Sequence, residues 1–301
     1  MNRWWTYQKE RFPLAAHGPL VAAFSFCAVA YSANLRRPGA WPEPRSFAVA
    51  FACALLFFLQ LRIADEHKDI EEDTRWRPYR PVPRGLVSLR ELAWVFAAGA
   101  LLQLGLALWL RPALVGWLGL TWAYLAAMSK EFGVRDWLKA RPVTYLWSHM
   151  LIMPLIDFFG TSCDWTLHQA APPAGLGWFL AASFCNGVVI ELGRKIRAPE
   201  QEEEGVETYT ALWGPRRAIL AWLAMVAATA AFGALAGLST RAAGPIALVL
   251  GVALCLRTLM ALRFLRRPEP ARAQAIQWTS ALWTLTLYLS LGLLPHLPGL
   301  P

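Results

Sequence analysis

Along this chain, polar positions do not alternate with apolar ones at the period of an amphipathic helix or strand; charge-poor apolar blocks are punctuated by short polar segments. Each block is close to the ~20 residues that a helix needs to cross a bilayer. Nine such blocks are predicted as spanning helices, at roughly 14–35, 46–64, 91–110, 112–129, 142–161, 175–193, 217–238, 243–262 and 277–297. Only Arg111-Pro112 separates the third from the fourth, which predicts a tight hairpin. The longest polar segments, 65–90 and 191–217, are too short to fold alone. The expectation is one all-α multi-pass membrane domain over 1–301. Those two segments follow the second and the sixth block, as in a loose repeat of a four-helix unit plus one helix.

Composition agrees: 56% of the 301 residues are hydrophobic and 16 are tryptophan. The net charge of +9 would suit a nucleic-acid partner if it were concentrated on one surface, but its placement points elsewhere. The N-terminus and every second connection after it (64–91, 129–141, 193–217, 262–277) carry 22 Lys and Arg; the other side carries Arg36, Arg37, Arg45, Arg111 and Arg241. That asymmetry is the positive-inside pattern. It places the N-terminus and both long polar segments in the cytoplasm and the C-terminus on the opposite side, with a bilayer rather than nucleic acid as the partner. Five cysteines without metal or redox spacing read as small packing residues. The first block, with its long polar leader, reads as a retained helix rather than a cleaved signal.

One stretch carries candidate chemistry: "LRIADEHKDIEEDTRWRPYRPVPRG" at 61–85 places six acids within nine positions where the second block ends. Asp65, Asp69 and Asp73 are spaced four apart. In a helix continuing past the membrane surface, each is rotated only ~40° from the last, so the three form a stripe with Arg62 at its edge. Stacked carboxylates repel, and a divalent cation reverses that repulsion. Mg²⁺ accepts a few such oxygens and completes its shell with water and phosphate. A hydrated loop balanced by Arg75, Arg77, Arg80 and Arg84 is the plainer alternative. Glu66, Glu71 and Glu72 lie off the stripe and are expected in solvent.

The segments "RIADEHKDIEED" and "RPYRPVPRGLVS" resemble the first aspartate-rich motif of the UbiA superfamily of intramembrane prenyltransferases, Arg-x-x-Asn-x-x-x-Asp-x-x-x-Asp followed by Arg-Pro-(Leu/Val)-Pro. Arg62, Asp69 and Asp73 match, Asp65 replaces the usual Asn, and "RPVPRG" at 80–85 matches the tail. "EEGVETYTALWG" at 203–214 is similar to the end of the second motif, but the Asp-x-x-x-Asp that normally precedes it is missing: Arg197 and Gln201 occupy those places. Glu200 and Glu204 keep a four-residue spacing, and Glu191 is the alternative ligand.

The resemblance implies a UbiA-like bundle and Mg²⁺-dependent transfer from an isoprenyl diphosphate to a small-molecule acceptor, lipophilic or aromatic. Asp69 and Asp73 would be catalytic and would hold metal with Asp65 and Glu191. Arg62, Lys130, Arg135, Arg194 and Lys195 would hold the diphosphate. Trp122, Tyr124, Tyr145 and Trp147 are candidates to face an allylic cation, although interfacial belt residues look the same. His149 could serve as a base and is equally a core histidine; Asp157 is expected to reach the outer interface. A terpene cyclase of the same superfamily, a transporter and a lipid-binding relative remain alternatives.

Overall fold

The computed structural model describes residues 2–297, and among these the regular structure is helical. The helices are α1 (Arg3–Arg11), α2 (Leu14–Arg36), α3 (Pro44–Lys68), α4 (Ile70–Trp76), α5 (Leu89–Leu110), α6 (Leu114–Ser129) and α7 (Arg135–Lys139). There follow α8 (Pro142–Met150), α9 (Ile152–Trp165), α10 (Leu176–Arg194), α11 (Tyr209–Trp213), α12 (Pro215–Leu238), α13 (Ala243–Arg266) and α14 (Pro270–Leu293).

Among the described residues, seven helical segments are long and apolar enough to cross a membrane: α2, α3, α5, the α8–α9 pair, α10, α12 and α13. Helix α6 is apolar but has only 16 residues. Helix α14 has 24, diluted by Arg272, two glutamines and several hydroxyls. The nine blocks are thus all helical, while seven qualify as spans by length and hydropathy.

Helix starts follow local signals. Pro44, Pro142, Pro215 and Pro270 occupy first turns, where a missing N–H costs nothing. Ser88 and Glu91 close a capping box at the start of α5. The block predicted at 142–161 breaks at Leu151 into α8 and α9 because Pro154, in the first turn of α9, has no N–H to return to Met150.

Chain neighbours are spatial neighbours. α2 packs on α3, α3 on α5, α5 on α6 and α6 on α9; α9 packs on α10, then α10 on α12, α12 on α13 and α13 on α14. Helix α14 returns to α2 and closes the ring. Lipid supplies no hydrophobic drive for helix association, so close backbone approach has to do this work. At the closing contact a Cβ on Gly292 would lie 2.5 Å from the Cα of Cys27, so α14 and α2 meet there only through glycine. At one end of the bundle Asp164 of α9 accepts from Arg36 at 2.8 and 2.9 Å and from Ser32 at 2.8 Å, joining α2 to α9.

Asp157, expected at an interface, is instead wholly buried. Tyr288 of α14 donates to its Oδ2 at 2.5 Å.

Candidate active site

The ends of α3 and α10, the segment after α4, and the α6–α8 connection converge around a cavity of about 890 Å³. Its mouth is polar, with Arg62, Asp65, Asp69, Glu191, Arg194 and Lys195 all on its wall. Its interior is apolar, lined by Val21, Phe24 and Phe58 on one side and Met150, Met153 and Ile190 on the other. The break between α8 and α9 sits on this wall, where irregular backbone at membrane depth is tolerated because it borders a cavity. A second cavity, of about 870 Å³, lies between Arg111, Trp117 and Trp165 and gathers none of the predicted site residues.

Helix α3 runs unbroken to Lys68 and points the side chains of its last turns two ways. Arg62, Asp65 and Asp69 face the cavity, and Arg62 Nη1 lies 3.5 Å from Asp65 Oδ2. Glu66, expected in solvent, turns the other way and is buried in an ion pair with Arg11 of α1. Glu71 and Glu72 are exposed, as expected, with Glu72 at the cavity rim 2.7 Å from Lys139.

The three-aspartate stripe does not persist. At Asp69 the backbone leaves helical geometry (φ −96°, ψ 7°), and α4 starts in a new direction. Asp73 is thereby carried into the protein, 2% exposed, where Arg80 donates at 2.6 and 2.8 Å and Arg77 at 3.1 Å. Asp73 does not line the cavity, whereas Arg77 and Arg80 do. Asp69, by contrast, has no ion-pair partner among the described residues. Burial first, then the charge of Asp65, hold its carboxyl above the ordinary range; Lys68 opposes this and Asp73 and Glu72 add to it. Asp69 is an uncompensated acid poised at the mouth.

The second polar segment is organised by bases. Glu191 reaches the cavity but is held by Arg194 and by Lys195 at 3.2 Å. Glu202 accepts from Thr208 at 2.6 Å and Thr210 at 2.7 Å, while Thr208 caps α11. Glu200 and Glu204 are exposed and off the cavity. Gly205 adopts φ +74°, and a Cβ there would lie 2.5 Å from the Trp76 ring, so the two polar segments touch through a glycine.

In the third connection Lys130 and Arg135 are exposed and do not reach the cavity. Lys130 caps α6, and the chain then makes three successive left-handed residues, Glu131 (φ 51°), Phe132 (φ 53°) and Gly133 (φ 73°). For a residue with a Cβ that conformation costs about 1–2 kcal/mol. The turn delivers Glu131 to the inside, 2% exposed. Its carboxylate meets Lys68 at 2.6 Å, the Tyr145 hydroxyl at 3.1 Å and His149 Nε2 at 3.2 Å, the last contact poorly aligned for a hydrogen bond. Burial alone would raise the Glu131 carboxyl, but His149 and Lys68 outweigh it and hold it down to about 2.

Lys68, Tyr145 and His149 all line the cavity, so this connection contributes through Glu131 and its partners rather than through the basic residues expected. Of the other aromatic candidates, Trp122 donates to Gln103, Tyr124 donates to the Ser148 carbonyl, and Trp147 is exposed.

Among the described residues, no three His, Cys, Asp or Glu side chains enclose a metal by themselves. The donor set at the mouth still suits Mg²⁺. Asp65 and Asp69 offer hard oxygens from one helix end, and the surrounding cations suit phosphates that would complete the shell.

The fold is thus a ring of helices, most of them long and apolar enough to cross a bilayer, around a cavity that is polar at its mouth and apolar inside. The chain belongs to the UbiA prenyltransferase family, whose model matches residues 23–285. Solved structures share the fold at low identity. An apo UbiA homologue from Aeropyrum pernix K1 is 18% identical with a TM-score of 0.65, over 90% of this chain and 95% of that one. Digeranylgeranylglyceryl phosphate synthase is 14% identical with a TM-score of 0.65, over 98% and 99%. A UbiA homologue from Archaeoglobus fulgidus bound to DMAPP and Mg²⁺ is 15% identical with a TM-score of 0.50, over 96% and 99%. No curated protein matches the sequence.

Proposed function

We propose that the protein transfers a prenyl group from an isoprenyl diphosphate to a lipophilic or aromatic acceptor at the membrane, with Mg²⁺ as cofactor. The observation that carries this reading is the polarity of the cavity that collects residues of all three polar connections. Carboxylates and cations ring its mouth, where a diphosphate would sit, and an apolar interior continues from it, where a prenyl tail would lie. The two solved neighbours described as a digeranylgeranylglyceryl phosphate synthase and as a DMAPP–Mg²⁺ complex support the same substrate class.

Bound Mg²⁺ would neutralise charge that develops on the leaving diphosphate. Asp65 and Asp69 would hold it. The basic wall, made of Arg62, Arg194 and Lys195 together with Lys68, Arg77 and Arg80, would neutralise the remainder. Asp73 acts through Arg77 and Arg80, fixing both toward the mouth. Glu191 acts through Arg194 and Lys195. With two of the four expected carboxylates committed to arginine and lysine, basic side chains take a larger share of diphosphate neutralisation. The apolar interior excludes water from the allylic carbon once the bond to oxygen loosens.

The mouth faces the cytoplasm in this reading, along with the N-terminus, while the C-terminus lies outside. The charge asymmetry of the connections supports it.

The test is diphosphate release from labelled isoprenyl diphosphates of several lengths, with protein in liposomes, with and without Mg²⁺. Magnesium-dependent release that Asp69→Asn abolishes is the expected result. Release at the wild-type rate from Asp65→Asn and Asp69→Asn proteins, or none from wild type at any chain length, overturns the proposal.

A further inference from the structure

Two non-glycine residues in succession at positive φ are uncommon, and backbone strain of this kind persists where surrounding contacts hold it. Here Glu131 and Phe132 adopt φ 51° and 53° in the connection after α6. The consequence is specific: a carboxylate from a loop is placed inside the protein, its side chain 3% exposed. Burying an acid is costly unless it is paired, and here one cation, one hydroxyl donor and a nearby imidazole surround it. Lys68 comes from the end of α3, and Tyr145 and His149 from α8.

All three partners belong to the cavity wall, although Glu131 itself does not. Lys68 precedes Asp69, the uncompensated acid at the mouth. Its ammonium touches Glu131 Oε1 at 2.6 Å and also donates to the Tyr145 hydroxyl, which in turn donates to the same Oε1 at 3.1 Å. An ammonium has three N–H donors. Tyr145 accepts one, and the ion pair with Glu131 holds the ammonium in place, which leaves N–H for the cavity. The Tyr145 ring is fixed as well: it stacks on the His149 ring with centroids 4.0 Å apart, and Lys68 Nζ lies 4.9 Å from its centre.

We propose that Glu131 is a positioning residue that holds the Lys68 ammonium, braced by Tyr145, so that its remaining N–H points to a diphosphate at the cavity mouth. This deepens the proposed function and rests on its placing the diphosphate there. The arrangement resolves why a lysine on a mobile four-carbon stem serves in a site that needs fixed donors: a strained turn supplies a rigid acceptor for it. It also gives Glu131 a conditional value. With Lys68 present it orients a donor. Without Lys68 it is a carboxylate with only Tyr145 and His149 beside it, behind the site of an anionic ligand.

That conditional value is the test. Inorganic pyrophosphate binding in the presence of Mg²⁺ is measured by calorimetry on the detergent-solubilised full chain. The proteins compared are wild type, Glu131→Gln, Lys68→Met and the double variant, with Tyr145→Phe as a fifth that leaves the turn and carboxylate intact. Lys68→Met is expected to weaken binding about tenfold, the scale of one charge-assisted hydrogen bond. Glu131→Gln is expected to weaken it about fivefold alone, and to strengthen it about threefold when added to Lys68→Met. Tyr145→Phe is expected to weaken it about threefold.

A residue that served only the fold would act in the same direction in both backgrounds. Equal weakening in both, or wild-type affinity in Glu131→Gln and Tyr145→Phe alike, overturns the inference. If Glu131→Gln fails to fold, Tyr145→Phe decides: unchanged affinity overturns the inference and threefold weakening supports it. Diphosphate release is assayed alongside to separate the two proposals. Sign reversal without turnover of any prenyl diphosphate sinks the proposed function and keeps this inference. Turnover with additive effects does the opposite, and no pyrophosphate binding by wild type overturns both.

Discussion

Asp69 and Asp73 are indistinguishable as members of an i, i+4 pattern, yet the structure assigns them opposite effects on stability. Asp73 is buried beneath Arg77 and Arg80, whose side chains are each 21% exposed. Removing one partner of a fully buried pair costs about 3–5 kcal/mol. The arginines are partly wetted and can rehydrate, so Asp73→Asn should cost about 2 kcal/mol. For a chain of this length that lowers Tm by about 4 °C. Asp69→Asn instead removes a carboxylate that has Asp65 one turn behind it and no cation paired to it, so it should raise stability by about 0.5 kcal/mol and Tm by about 1 °C.

The pH dependence carries the same sign. The folded-state pKa of Asp69 lies above its ordinary value, so the folded protein retains this proton where the unfolded chain has released it. Ionised Asp69 therefore opposes folding, and wild type recovers that stability as pH falls through the folded pKa toward the ordinary carboxylate value. The gain from Asp69→Asn should be full above the folded pKa and should vanish in acid. Thermal unfolding of both variants in detergent, at neutral and mildly acidic pH, reads these shifts. Mg²⁺ with pyrophosphate should raise the wild-type Tm and leave that of Asp69→Asn unmoved. A Tm for Asp73→Asn within 1 °C of wild type, or a loss in Asp69→Asn as large as that in Asp73→Asn, would refute the assignment.

Three further outcomes are expected. The Glu131 carboxyl is depressed from 4.5 to about 2, so its stabilising contribution is complete above pH 4.5 and lost as pH falls toward 2; acid unfolding of Glu131→Gln should lack that slope. Lys139→Ala removes an ion pair whose side chains are 42% and 54% exposed, so stability should change by less than about 0.5 kcal/mol, while the affinity for pyrophosphate falls because the lysine borders the cavity; calorimetry and thermal unfolding check the two halves. Gly205→Ala forces a Cβ into the Trp76 ring at a positive φ, which should cost about 2–4 kcal/mol; faster proteolysis within 199–208 would show the segment detaching, and wild-type resistance would count against the contact.

What the sequence reveals here follows from which signals are local. The spanning helices are legible because a bilayer demands length and apolarity, properties of a contiguous window, and because Pro44, Pro142, Pro215 and Pro270 mark helix starts in the chain itself. The cavity mouth is partly legible for the same reason: Arg62, Asp65 and Asp69 share a face because one helix carries them. Periodicity fails at Asp73, because Asp69 before it leaves helical geometry and the later carboxylate passes from the ligand face to the arginines seven and four positions ahead.

Glu131 had no signal of that kind. Its importance comes from Lys68, Tyr145 and His149, which lie up to 63 positions away in the chain, and from a left-handed turn that glutamate and phenylalanine do not advertise. The local trace is Gly133, which ends a run that glycine alone would favour. The same reasoning explains the degenerate second motif. Read as a ligand pattern, it has lost its aspartates; read in the fold, Glu191 orients Arg194 and Lys195, as Asp73 orients Arg77 and Arg80 and Glu131 orients Lys68. Three connections thus use one device, an acid committed to a base so that the base faces the mouth, and Asp65 and Asp69 are the acids proposed to hold metal.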